Sequence, residues 1–160
     1  MRSEHYLAEE LNPYTYRFFS VGRHGRFKLV VTLTPIDKKI CNLGFGVWNE
    51  EFDTVDDSIE TRNGDTDKIL ATVAKIALNF IARNPTAFIY ATGSCAARTR
   101  KYQMGISKYL PYLKDQYTIQ GLLKDKFGEA ESVDTSPVWY SSWQDFRTGV
   151  NYDAFLLSFK

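Results

Sequence analysis

The chain is poor in the residues that carry redox and imidazole chemistry. It has two cysteines, Cys41 and Cys95, and two histidines, His5 and His24. Two thiols make no disulfide framework, and 160 residues can fold without staples, so a reducing, cytoplasmic location is expected. No stretch approaches the ~18 consecutive apolar residues of a membrane span. The opening MRSEHYLAEELNPY places charges where a signal peptide needs an apolar core, so no membrane partner is expected. Internal repeats, low-complexity tracts and Pro- or Gly-rich linkers are missing as well. An excess of charge is also lacking: the formal net charge is +1, so any contact with nucleic acid must come from a local patch.

What the chain does have is core-forming material. With 44% hydrophobic and 15% aromatic residues it can bury one good core, and residues 1–160 are expected to be a single domain. Within it, residues 1–12 read as an N-terminal arm and 124–150 as an irregular, aromatic-rich segment. YTYRFFS (14–20) and RFKLVVTLT (26–34) are rich in aromatic and β-branched residues. The two glycines of the intervening VGRHG make the pair a β-hairpin. ICNLGFGVW (40–48) reads as a third strand despite its glycines.

Over 65–82, Ile69, Leu70, Val73, Ile76, Ala77, Phe80 and Ile81 recur at three- and four-residue spacing, which predicts an amphipathic helix. Asn63-Gly64-Asp65 marks its start, Asp67 favours its dipole, and Asn84-Pro85 ends it. TAFIYAT (86–92) is a short buried strand. A second helix over 96–113 buries Tyr102, Ile106, Tyr109, Leu110 and Leu113, with Pro111 expected to kink or shorten its last turn. QYTIQGLL (116–123) and NYDAFLLSF (151–159) read as further strands. The expected fold is α+β, a mostly antiparallel sheet with two main helices packed on one face.

The stretch ATGSCAARTRKY (91–102) stands out. A strand, a Gly-Ser turn and a helix start bring backbone N–H groups and the Ser94 hydroxyl together with cationic side chains, which is how helix N-termini hold phosphate or carboxylate. Gly93, Ser94, Arg98, Arg100, Lys101 and Tyr102 are the candidate ligand-binding residues. The dipole already makes a helix start positive, so cations there call for a counter-charge. Arg98 and Arg100 lie about 200° apart on a regular helix of ~3.6 residues per turn, which suits a long ligand or an irregular first turn. The stretch is not a Walker loop, since GxxxxGK[ST] is absent.

Competing readings stand beside this one. Residues 49–67 hold Glu50, Glu51, Asp53, Asp56, Asp57, Glu60, Asp65 and Asp67 against one cation, Arg62. The arginines could pair with these carboxylates inside the fold, or simply face solvent. Asp53, Asp56, Asp57 and Asp65 could hold a hard cation, although their spacing fits no calcium loop. Cys95 at a helix start could be a nucleophile but lacks an evident base. Arg23, His24, Arg26 and Lys28 could extend a basic face, or be a wet hairpin tip. The ten tyrosines and three tryptophans offer stacking platforms, or core packing.

NLGFG (42–46), the Asp56-Asp57 pair, NGDTDKILATVA (63–74), GSCAARTRKYQMGI (93–106) and the final YDAFL resemble an uncharacterised family of short bacterial proteins, common in Bacteroidetes. That family shares an N-G-D-x-x-K-[VI]-L-A-T-V stretch and a G-S-x-x-x-R-T-R-x-Y stretch. The resemblance spans most of the chain and implies a bacterial or phage origin and a single domain; it brings no activity with it. Cys95 stands where that pattern has Thr, which argues against a cysteine mechanism.

The expectation is a small binding protein without a cofactor; an enzyme acting on phosphate esters is a third reading, with no persuasive acid–base pair behind it. Its ligand would carry phosphate, as a nucleotide or single-stranded nucleic acid held at residues 93–102, and the protein could be a homo-oligomer. The alternative is a protein–protein interaction module, antitoxin-like or a phage counter-defence protein, that meets its partner through the acidic loop or the aromatic tail.

Overall fold

The computed structural model describes residues 4–56, 61–123 and 143–160. The expectations that fall on Asp57, Glu60 and residues 124–142 lie outside the described residues. The fold is α+β and mostly antiparallel with two main helices, α1 (Thr66–Arg83) and α2 (Ala96–Leu113), each within a residue of the span that apolar periodicity predicts. The chain divides into two compact units, Met1–Ile89 and Tyr90–Lys160.

In the first unit, β1 (Glu9–Asn12), β2 (Thr15–Gly22), β3 (Gly25–Pro35), β4 (Ile40–Asn49) and β5 (Thr54–Asp56) pair in succession, each antiparallel to the last. The predicted hairpin is β2–β3, closed at Gly22 and Gly25. Alternation along β2 buries Tyr16, Phe18 and Ser20, and the register sets them opposite Val31, Leu29 and Phe27. Contacts at both ends hold α1 to these strands: Ser20 meets Asp65 at its start, and the Tyr14 and Phe80 rings lie 6.1 Å apart near its end. The buried arc of α1 also takes in Ala71 and Thr72, so it is wider than the predicted stripe.

The start of α1 departs from expectation. Asp65 occupies the N-cap position, yet its side chain makes no capping bond. Its carboxylate instead accepts from the Ser20 hydroxyl at 2.5 Å, the Tyr6 hydroxyl at 2.6 Å and the Thr61 hydroxyl at 3.3 Å. Asn63 completes the knot. Its Nδ2 donates to Ser20 Oγ and to the Gly25 carbonyl, and its Oδ1 accepts from the His24 N–H. The chain reaches this geometry through left-handed backbone at Arg62 (φ 54°) and Gly64 (φ 73°). At Arg62 that conformation costs about 1–2 kcal/mol, which the hydrogen bonds to a charged carboxylate, about 1.5–3 kcal/mol each, more than offset.

The expected N-terminal arm is partly ordered into structure. Tyr6 stacks on Phe18 with ring centroids 5.8 Å apart, and its N–H donates to Thr72 Oγ1 at 2.8 Å. Glu9–Asn12 then forms edge strand β1, although EELN has no β-branched or aromatic residue to signal it. Its support is electrostatic, from the ion pairs Glu9–Arg17 and Glu10–Arg83. β5 is likewise too short to be legible. It follows a turn in which Asn49 Oδ1 accepts the N–H groups of Glu51 and Phe52.

In the second unit, β7 (Tyr117–Leu122) pairs antiparallel with both β8 (Trp143–Asp145) and β9 (Ala154–Phe159). β6 (Phe88–Ala91) leads into it. Ile119, Phe146, Tyr152 and Phe155 form its core, and Tyr102, Ile106, Leu110 and Leu113 of α2 pack against them. Tyr109 is buried as well. Pro111 does not shorten α2. A proline three positions from the end removes one ladder bond, and the Lys114 N–H closes the turn onto the Leu110 carbonyl at 3.0 Å.

Asp65→Ala strands three hydroxyls and is expected to lower the unfolding free energy by about 2–3 kcal/mol, measured by urea denaturation. The Tyr6 hydroxyl is held above its ordinary value of 10, first by burial and then by the Asp65 carboxylate it donates to. The native state therefore keeps this proton after the unfolded chain has lost it. Its contribution is complete below pH 10 and declines as pH rises through the folded value. Comparing urea midpoints at pH 9 and 11, Tyr6→Phe is expected to show a smaller alkaline loss than the parent protein.

Candidate functional site

After β6 the chain turns back onto the first turn of α2, and one side chain fixes that turn. The Gly93 N–H donates to Thr99 Oγ1 at 3.0 Å, and Thr99 Oγ1 donates to the Cys95 carbonyl at 3.1 Å. A Cβ at residue 93 would collide with the Thr99 backbone nitrogen, which is why glycine stands there. Thr92 Oγ1 holds the Asp153 carbonyl at 2.7 Å. One turn further along α2, the buried Gln103 accepts the Tyr152 N–H at 3.0 Å and donates to the Val150 carbonyl. Tyr152 in turn accepts from Gln144 Nε2 and the Arg147 N–H through its hydroxyl oxygen. Thr99 and Gln103 are thus inward polar residues that set the rotation of α2. Apolar periodicity gives no sign of either.

This arrangement sorts the six predicted ligand-binding residues. Gly93 is spent on the turn, and its N–H is already taken by Thr99, so it does not join a backbone cradle. Tyr102 packs against the core of its unit. Ser94, Arg100 and Lys101 are exposed and Arg98 is half-buried. Cys95 is the N-cap residue, so only Arg98 lies in the first turn of α2, which holds no acidic residue. Arg100 and Lys101 fall in the second turn, where the dipole has largely faded. The three cations expected at the helix start are therefore spread over two turns. α2 is helical throughout, so the arginines sit about 200° apart, on either side of buried Thr99. Among the described residues neither Arg98 nor Arg100 makes a side-chain hydrogen bond or an ion pair.

Two of the acidic residues, Glu50 and Asp65, have partners of their own. Glu50 lies 3.8 Å from Lys28, whose ammonium also sits 5.3 Å from the Trp48 ring. Asp65 is committed to hydroxyls. Among the described residues no group of three or more His, Cys, Asp or Glu side chains converges as metal ligands would. The basic hairpin tip is engaged too: the Arg26 guanidinium lies 3.8 Å over Phe19, and the His24 N–H is bound by Asn63. Cys41 is buried, and burial raises its thiol. Cys95 is exposed and has no histidine in its own unit. Among the described residues no helix is long and apolar enough to cross a membrane.

A family model covers residues 2–160, nearly the whole chain. The chain belongs to the family of unknown function DUF6934. Neither a curated protein nor a solved structure matches it. For this DUF6934 member the site must therefore be judged from its own geometry. That geometry divides residues 93–102 into positions the fold uses, Gly93, Thr99 and Tyr102, and positions whose side chains make no hydrogen bond or ion pair among the described residues, exposed Ser94 and Arg100 and half-buried Arg98.

Gly93→Ala is expected to destabilise the second unit by about 1–3 kcal/mol, as overpacking against backbone does, seen as a lowered thermal midpoint. Arg98→Ala and Arg100→Ala are expected to stay within about 0.5 kcal/mol of the parent protein in the same measurement.

Proposed function

We propose that this protein binds a phosphate-bearing ligand, a nucleotide or nucleic acid, at the turn and helix start over residues 93–102. The observation that carries the reading is the division just described. The fold employs Gly93, Thr99 and Tyr102, whereas Arg98 and Arg100 have no carboxylate partner among the described residues. Guanidinium groups suit phosphate because their planar donors engage two oxygens at once. The Gly93 N–H is taken and so is not offered to a ligand, and Ser94 adds an exposed hydroxyl beside the arginines. The wide angular separation of the two arginines favours a ligand with more than one anionic group over a single small ion.

Among the described residues no acid–base pair accompanies these side chains in their own unit, so the reading proposed is binding. Equilibrium binding of ATP and of a mixed-sequence single-stranded oligonucleotide would test it. Arg98→Ala and Arg100→Ala should each weaken binding at least tenfold with the thermal midpoint unchanged. Retained affinity in both variants, or no binding of either probe by the parent protein, would sink the reading.

A further inference from the structure

Helix α2 carries four cations, Arg98, Arg100, Lys101 and Lys108, and not one carboxylate over its 18 residues. At about 100° per residue, Lys101, Met104, Lys108 and Tyr112 follow one another at three- and four-residue steps along a single stripe. That stripe lies opposite the side where Thr99, Gln103 and Tyr109 are buried. Its two large apolar members are unusually exposed, Met104 at 70% and Tyr112 at 70%. At ~1.5 Å rise per residue, the distance from Lys101 to Tyr112 is about 16 Å.

A mononucleotide held near residues 93–102 would reach only one end of such a stripe. A polymer with regularly spaced phosphates can follow all of it. The absence of carboxylates removes the like-charge repulsion that a mixed helix surface would offer a polyanion. An exposed phenol ring at the far end is a stacking platform, usable only by a base that is not already paired. We infer that the outward stripe of α2 is a track for single-stranded nucleic acid, with phosphates against Lys101 and Lys108, Arg100 flanking the stripe beside Met104, and an unpaired base stacked on Tyr112. This rests on the proposed phosphate site and names the ligand class that it serves.

The test uses Lys108→Ala and Tyr112→Ala in the full chain. Both residues are exposed and stand outside residues 93–102, so thermal midpoints should match the parent protein. The probes are a fluorescent 12-nucleotide mixed-sequence single strand, the same sequence as a duplex, and ATP. Tyr112→Ala should weaken single-strand binding roughly 5- to 150-fold, the usual effect of losing one stacked base. Lys108→Ala should reduce the slope of log affinity against log salt by about 0.7, one phosphate contact on a single strand. Neither change should alter ATP binding. Parent-like single-strand affinity in both variants, or duplex bound as tightly as single strand, would overturn the track. If ATP alone bound and Arg100→Ala abolished that binding, the track would fail while the phosphate site stood; binding of no probe at all would remove both.

Discussion

A carboxylate without a cation has to be satisfied by hydrogen bonds, and in the N-terminal unit that requirement organises the chain around Asp65. Three hydroxyls serve it, from the N-terminal segment (Tyr6), the hairpin (Ser20) and the turn before the helix (Thr61). Segments up to 59 positions apart in sequence therefore meet at one point, at the first residue before α1. Asn63 adds the hairpin tip through the His24 N–H and the Gly25 carbonyl. Apolar burial supplies most of the stabilisation, since a fully buried Phe18 or Leu33 contributes about 1.5–3 kcal/mol. Burial is non-directional, however. The polar knot decides where α1 begins and how the hairpin meets it.

The second unit uses the same device without a charge. Thr99 and Gln103, four residues apart and therefore on one side of α2, are two of its three fully buried residues. Thr99 closes the turn from β6, and Gln103 takes the backbone on either side of Asn151. Buried polar groups of this kind are costly when unpaired and specific when paired, so they fix the rotation of the helix more sharply than its apolar contacts do. The rotation determines which side chains of α2 face solvent.

How much of this could be read beforehand follows from which forces act locally. Both helices and the longer strands were legible because periodic apolar spacing reports burial directly, as Ile69 through Ile81 and Tyr102 through Leu113 do. β1 and β5 were not, because EELN is held by ion pairs to Arg17 and Arg83 elsewhere in the chain, and TVD is only three residues long. NGD was read as a helix start, which is correct in position. Its true use, as the acceptor for distant hydroxyls, depends on Ser20 and Tyr6 and has no local signature. At residues 93–102 the turn and helix start were legible, but the capture of the Gly93 N–H by Thr99 was not. That capture withdraws the Gly93 N–H from the set of amides the turn exposes.

The distribution of charge then separates two explanations of those cations. Were they present to stabilise α2, they would sit in its last turn, where the dipole favours them; that turn has no basic residue. Were they simply solubilising, carboxylates would be interspersed among them, as on most solvated helices. With four positive charges on α2 and a chain total of +1, the rest of the chain carries a net −3. The segregation is therefore not a by-product of a basic protein. Helix α2 carries cations and no carboxylate, its inward polar residues fix its orientation, and its first turn holds an arginine that the dipole opposes. On the proposed reading, a polyanion along the helix supplies the counter-charge that the first-turn arginine lacks among the described residues.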